Sequence, residues 1–224
     1  MVNAKKLCVM LILFSVTFFS EAQTFGIKAG MTLSTVLAKN DSVTFSDNYK
    51  IRNGFHGGLT TEIQIGDFVS IETGVMFSTK GYLVREQQVS QGVTKETQPS
   101  LHLLYFDIPI VLKSWFGSDK KRTFGMLGPY IGMGLKGKYI TKKTSNGATK
   151  IIKKNVEWGR NRKSDLKRLD YGINIGVGVE LNTIQISASY QYGLSNVMNI
   201  SSGSLKVKNR SAQISIAYKF TNNF

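Results

Sequence analysis

The chain has 224 residues and a formal charge of +15. That length suits one medium domain. A single cysteine, Cys8, excludes a disulfide framework and a cysteine-based metal site. So basic a chain suggests an anionic partner, and nucleic acid, anionic lipid and acidic glycans are the classes to decide between.

Residues 1–22 read as a secretory signal peptide. Lys5 and Lys6 form its positive start, Leu7–Phe19 its apolar run and Ser20-Glu21-Ala22 a small-x-small cleavage site. The run is short for a membrane-spanning helix. Cys8 lies inside it without the small residues that precede a lipoprotein cysteine. Residues 23–224 form the remaining domain, which keeps a charge of +14 once two lysines and one glutamate are removed.

Eight segments of that domain alternate apolar and polar residues with period two, the pattern of strands. Thr24–Leu33 carries Phe25, Ile27, Ala29 and Met31 on one face and Lys28 with two glycines on the other. Phe55–Ile65 sets Leu59 and Ile63 against His56, Thr60 and Glu62, and Phe68–Tyr82 sets Val75 and Phe77 against Ser70, Glu72 and Lys80. His102–Trp115 places Phe106, Ile108, Ile110 and Leu112 opposite Tyr105, Asp107 and Lys113. Pro109 falls within it and predicts a bulge or local irregularity, because proline removes a ladder hydrogen bond. Phe124–Tyr139 sets Leu127, Ile131, Met133 and Leu135 against Tyr130, Gly132, Gly134 and Lys136. Tyr171–Leu181 and Ile184–Leu194 flank Asn182-Thr183, a tight hairpin. Ser211–Phe220 closes the series.

One face of every segment lacks Asp, Glu, Lys and Arg, while the opposite face holds the charges. A soluble barrel would do the reverse. A charge turned to lipid costs roughly 2–4 kcal/mol at mid-bilayer, so this pattern is that of strands with lipid outside and a polar lumen inside. The mean hydropathy of −0.10 is compatible, since half of each strand faces the lumen. Short connections (Gly66-Asp67, Gly117–Thr123, Asn182-Thr183) alternate with long polar ones (Ser34–Gly54, Leu83–Leu101, Ile140–Arg168, Ser195–Arg210). The expected fold is all-β, an eight-stranded antiparallel transmembrane barrel of an outer membrane. It has extracellular long loops and periplasmic termini, and it closes because an open edge in hydrocarbon leaves backbone groups unpaired.

Tyr105–Lys113 (YFDIPIVLK), Gly128–Gly134 (GPYIGMG), Asp170–Leu181 (DYGINIGVGVEL) and Ser211–Phe220 (SAQISIAYKF) resemble the PorT-type outer-membrane β-barrel proteins of Bacteroidota. The resemblance spans essentially the whole domain. It implies the barrel architecture and a secretion- or envelope-associated role, and it carries over no active residue. Thr221–Phe224 extends beyond the Tyr218-Lys219-Phe220 ending of the pattern, so Phe220 and Phe224 both qualify as the terminal aromatic assembly signal.

Six inward charges, Glu62, Glu72, Asp107, Lys113, Glu180 and Lys219, make up a candidate lumen network. Their mixed signs predict a salt-bridged plug, since eight strands leave room for side chains and little more. A proton or ion path is the alternative. His56 and His102 are the only histidines, and Ser100 and Asp107 lie near His102. No spacing among them marks a catalytic triad, and two histidines without cysteine predict no structural zinc site. No phosphate-cradling or dinucleotide motif occurs, so no cofactor is expected.

Ile140–Arg168 carries ten basic residues against Glu157 and Asp165. Asn146-Gly147 inside it predicts a type I′ hairpin between Lys138–Thr144 and Thr149–Val156. Lys142, Lys143, Lys150, Lys153 and Lys154 on that ribbon are candidate contacts for surface anions. At a cell surface lipopolysaccharide phosphates are nearer than nucleic acid, which is not expected as a partner. The sequence therefore predicts a small barrel with a structural or interaction role, held in outer-membrane lipid and displaying basic loops to lipopolysaccharide or other envelope proteins. A narrow pore and an outer-membrane hydrolase are the alternatives.

Overall fold

A computed structural model describes residues 23–39, 49–84, 86–90, 93–118, 121–145, 148–159, 161, 164–199 and 206–220. The expected signal peptide, the Asn146-Gly147 turn and the Thr221–Phe224 extension lie outside the described residues. Ten strands are described: β1 (Gln23–Lys39), β2 (Arg52–Gly66), β3 (Val69–Leu83), β4 (Glu86–Ser90), β5 (Val93–Ser118), β6 (Lys121–Ser145), β7 (Ala148–Asn155), β8 (Leu169–Leu181), β9 (Ile184–Gly193) and β10 (Lys206–Phe220).

Eight of them form a closed antiparallel ring. β5 pairs β3, the order continues through β2, β1, β10, β9, β8 and β6, and a β5–β6 pairing shuts the ring. The first and last strands meet in register from Phe25↔Phe220 to Lys39↔Lys206. β4 and β7 are not staves. Each hairpins back, β4 onto β5 and β7 onto β6.

The tight end is tighter than the sequence suggests. β5 and β6 run on to Ser118↔Lys121, so the expected Gly117–Thr123 connection shrinks to two residues. Asn182 supplies the positive φ, 55°, that the two-residue β8–β9 turn requires.

β5 has 26 residues and β6 has 25, whereas a strand needs only about 9–11 to cross a bilayer. The excess is explained by an inversion of polarity along the strands. On β5 the outward face runs Ser100, His102 and then Leu104, Phe106, Ile108, Ile110, Leu112, while the inward face runs Leu101, Leu103, Tyr105 and then Asp107 and Lys113. β1 does the same, with Thr32 and Ser34 buried in one stretch and Val36 and Ala38 in the next. Within the band the barrel is apolar outside and polar inside. Beyond it, toward the long loops, the barrel has the ordinary inside of a water-soluble protein. The lipid-facing band therefore ends at about the level of Leu104 on β5.

One expectation needs correction, and another, the irregularity at Pro109, is met as a gap in strand pairing rather than as a bulge. Lys136 is exposed rather than lumenal. The β5–β6 register slips between Leu104↔Lys136 and Tyr105↔Gly134, which leaves Leu135 as an extra residue. One extra residue flips every side chain beyond it to the other face. The slip is not at Pro109, where register is kept through Pro109↔Tyr130 and Leu112↔Leu127. Pro109 interrupts only the pairing with β3, which skips from Thr73↔Ile110 to Met76↔Asp107. Its free carbonyl accepts from Thr73 Oγ1 at 2.8 Å.

Candidate functional site

The lumen is filled in layers. At the tight-turn end, adjacent strands carry inward carboxylates and ammonium groups at matching heights. Glu62 and Glu72 are cross-strand partners on β2 and β3, and two like charges so placed require a cation between them. Lys113 on β5 supplies it, with Nζ 3.0 Å from Glu62 and 2.5 Å from Glu72. Lys28 pairs with the other oxygen of Glu72. Lys219 spans Glu62 at 3.0 Å and Glu180 at 2.5 Å, and Arg122 pairs with Glu180 at 2.5 Å. Gln185 donates to Glu180 at 2.6 Å and accepts from Lys113 at 3.1 Å. Ser70 donates to Glu62 and accepts from Trp115 Nε1. The layer is thus four cations against three carboxylates, with the rings of Trp115 and Phe124 tilted against each other beside it, centroids 4.8 Å apart.

Toward the loop end a second layer is built on Lys80, which is 1% exposed. Its Nζ lies 3.1 Å from both Asp107 and Asp170 and over the rings of Tyr105 and Tyr130. Ser78 donates to Asp107, while Ser195 and Asn209 donate to Asp170. Gly132 permits this arrangement, because a Cβ there would lie 2.2 Å from Asp107 Oδ1. Here one cation faces two carboxylates, and the surplus of this layer cancels that of the first.

Between the layers a cavity of about 30 Å³ is lined by His56, Asn174, Gln191 and Ser215, among others. That is room for about one water molecule. His56 is held by Thr32 and Ser215.

Above the second layer the upper ends of the strands and residues of the long connections fill the barrel with apolar side chains. Leu101, Leu103, Tyr105, Val156 and Leu166 form one buried cluster, and Val36, Ala38, Val197 and Val207 another. Trp158 is edge-on to Tyr105. Gly134 admits it, since a Cβ there would meet the indole at 2.3 Å.

The six charges expected in the lumen divide between the layers. Glu62, Glu72, Lys113, Glu180 and Lys219 share the first, and Asp107 belongs to the second. Sequence reasoning did not include Asp170 or Arg122. Asp170 shares a face with Gly172 and Asn174 on β8, so parity alone would have placed it in the lumen. Arg122 was hidden by an overlong turn.

Ser100 Oγ lies 3.1 Å from Nε2 of His102, a serine–histidine contact of the kind a hydrolase uses. The third group is wrong for that chemistry. Nδ1 of His102 faces Arg52, at 2.8 Å from Nη2, where a triad needs a carboxylate to stabilise the imidazolium. Asp107 is on the opposite face of β5. His102 stands above the lipid-facing band, and burial, followed by the charges of Arg52 and Lys142, lowers its pKa below the ordinary 6.5.

The basic ribbon is formed by β6 and β7, paired from Lys138↔Asn155 to Ser145↔Ala148. Its alternation splits the five candidate lysines. Lys142 and Lys153 share one face with Ile140 and Ile151, while Lys143, Lys150 and Lys154 share the other. Lys154 lies 3.6 Å from Asp165.

No curated protein matches the chain. Among solved structures it is similar to Ail, the attachment invasion locus protein of Yersinia pestis, at 18% identity, covering 90% of this chain and 100% of that one, with a TM-score of 0.36. Another structure of Ail, in complex with the heparin analogue sucrose octasulfate, matches at 17% identity over 88% of this chain and 99% of that one, with a TM-score of 0.37. Neisserial surface protein A is similar at 14% identity, covering 88% and 97%, with a TM-score of 0.41. The sequence profile of the outer membrane protein β-barrel domain matches residues 21–199. The chain belongs to the outer membrane protein β-barrel domain family.

Proposed function

We propose that this protein is a sealed outer-membrane barrel whose work is done by what it displays rather than by what it conducts. The observation that carries this reading is double closure of the lumen, by a charge-balanced ionic plug in the bilayer and an apolar cap above it. Opening a path requires separating buried ion pairs, and leaving one such charge unpaired costs about 3–5 kcal/mol. A conducting barrel keeps a continuous aqueous lumen instead.

In this reading the long loops are extracellular, the termini periplasmic, and the β6–β7 ribbon presents its lysines to the phosphates of lipopolysaccharide. The resemblance to PorT-type barrels adds an envelope- or secretion-associated role with protein partners. The signal peptide at residues 1–22 delivers the chain to the export pathway.

Reconstitution in planar bilayers tests the sealed state. Parent protein should give no unitary conductance, and neither should a variant with the cap weakened by Trp158→Ala and Leu166→Ala, because the ionic plug remains. Steady channels from folded parent protein would replace the display reading with the narrow pore.

A further inference from the structure

The plug and the cap leave one feature of the wall unexplained. Just above the lipid-facing band, β2, β3, β5, β6 and β7 surround an open pocket of about 800 Å³ on the outer surface of the barrel. Among the described residues Lys50, Arg52, Lys142 and Lys153 line it, and no carboxylate does. None of these four cations forms an ion pair among the described residues. Ile51 and Ile151 stand among them, 62% and 52% exposed. Cations and bare isoleucines in one concavity, directly above a lipid-facing wall, match a ligand with an anionic head and an apolar body.

Arg52 is set for such a ligand. It has donors only, so Nδ1 of His102 must accept from it, at 2.8 Å from Nη2 and 3.2 Å from Nε. That fixes Nε2–H as the donor to Ser100, whose hydroxyl donates in turn to the carbonyl of Ile140 at 3.0 Å. Nη1 also donates to the carbonyl of Lys80 at 3.5 Å, so neutral acceptors hold all three nitrogens and orient the guanidinium without neutralising it, and each terminal nitrogen keeps a second N–H for a ligand. A planar fork held in this way is suited to bidentate contact with phosphate. Arg122, by contrast, is already paired with Glu180.

We propose that this wall pocket binds the phosphorylated headgroup of an outer-leaflet lipid. Arg52 and Lys50 contact the phosphate, Lys142 and Lys153 close over it, and the isoleucines cover the start of the acyl chains. The proposal rests on the reading that the long-loop end is extracellular, and it narrows the lipopolysaccharide reading to one face of the ribbon.

The test uses the full-length mature protein folded in neutral detergent and titrated with three probes: lipopolysaccharide, dephosphorylated lipopolysaccharide and inorganic phosphate. Heat-modifiable gel mobility verifies folding of each variant. K50Q/R52Q removes two charges from the pocket. K143Q/K150Q/K154Q removes three from the ribbon face that points away. If bulk charge governed binding, the second variant would lose more, and added salt would erase the difference.

The pocket predicts the opposite: about tenfold or greater loss for K50Q/R52Q and no more than about twofold for the triple variant, as expected when a bidentate charge-assisted contact is removed. Dephosphorylated lipopolysaccharide should bind the parent about tenfold more weakly and be indifferent to K50Q/R52Q. Inorganic phosphate should compete only weakly, because it leaves the isoleucines uncovered, and full competition would point to a free-phosphate site instead. R52K keeps the charge and loses the fork, so it should weaken binding measurably. This variant also decides the matter if K50Q/R52Q does not fold, because unchanged binding by R52K overturns the bidentate site. Equal or greater loss in the triple variant overturns the pocket while sparing the basic-ribbon reading. Undiminished binding by both multiple variants overturns both.

Discussion

Lys80 Nζ lies 3.1 Å from Asp170 Oδ2, although 90 residues separate them in the chain. The pair ties β3 to β8 across the lumen, and Asp107 on β5 completes it from a third strand. Lys80→Met would leave two carboxylates buried and mutually repelling. The expected loss is about 3–5 kcal/mol of barrel stability, read from urea unfolding in lipid vesicles. Adding Asp107→Asn and Asp170→Asn to Lys80→Met should recover much of it, because the charges then leave together. A triple variant as unstable as Lys80→Met would mean that packing of the lysine stem, not charge pairing, is what matters.

The lower layer makes a similar prediction with a different partner set. Lys113 is fully buried and contacts Glu62, Glu72 and Gln185. Lys113→Met should cost about 3–5 kcal/mol. Combination with Glu72→Gln should cost less than the sum of the two single changes, as residues in one network couple. Simple additivity in the double-mutant cycle would argue that the layer is a set of independent contacts.

Met31 and Leu37 share the outward face of β1 but stand on opposite sides of the polarity inversion. Met31 is 58% exposed within the apolar band, while Leu37 pairs with Lys208 beyond it. Met31→Lys should cost about 2–4 kcal/mol and Leu37→Lys under about 1 kcal/mol, since the penalty falls toward the interface. Ile175→Lys and Val177→Lys, both inside the band, should behave like Met31→Lys. Folding yield into vesicles measures all four, and equal penalties at Met31 and Leu37 would displace the boundary.

His102 gives a pH dependence. Its pKa is lowered in the folded protein, so the unfolded chain binds more protons as pH falls below about 6.5, the ordinary histidine value. The stability contributed by the neutral ring is complete above that pH and declines below it. Arg52 and Lys142 face the ring as cations, and Glu96 lies farther along β5, held by Gln98. Between pH 7.5 and pH 5.5, parent protein should lose more stability than His102→Gln. An identical loss in both would show that His102 does not report the rim electrostatics.

Much of this architecture was legible in the sequence, because a period of two is a local signal. Any strand with lipid outside repeats it, and Tyr171–Leu194 shows both strands and the Asn182-Thr183 turn without reference to the rest of the chain. What stayed hidden depends on events outside the window. Leu135 is one extra residue in β6, and nothing in its neighbourhood announces that Lys136 will emerge on the outer face. The apolar cap was hidden for a related reason. Leu101, Leu103 and Tyr139 alternate as membrane strands do, but with the inside and outside exchanged. Lys80 and Asp170 were each readable as inward, yet their meeting depends on ring closure, which no local pattern specifies. The ribbon lysines were grouped by composition, and strand alternation divides them.

The orientation of the barrel makes the last prediction. Its connections are short at one end and long at the other, and the long ones include the ribbon and the loop from Val156 to Arg168. That loop is partly protected: Val156 and Leu166 are buried in the cap, and Glu157 accepts backbone hydrogen bonds from Asp165 and Leu166. Lysines of the ribbon are exposed from Lys150 to Lys154. Trypsin added to intact cells should therefore cut first in the ribbon, at Lys150, Lys153 or Lys154, and more slowly at Lys167 or Arg168. Backbone already paired in a strand resists entry into a protease, so cleavage should be slow until the ribbon opens locally. Lys121, beside the two-residue turn at the other end, should survive in intact cells and become accessible only when the outer membrane is permeabilised. Early cleavage near Lys121 with an intact ribbon would turn the barrel over. The basic face would then meet the periplasm, and lipopolysaccharide would no longer be the anion within its reach.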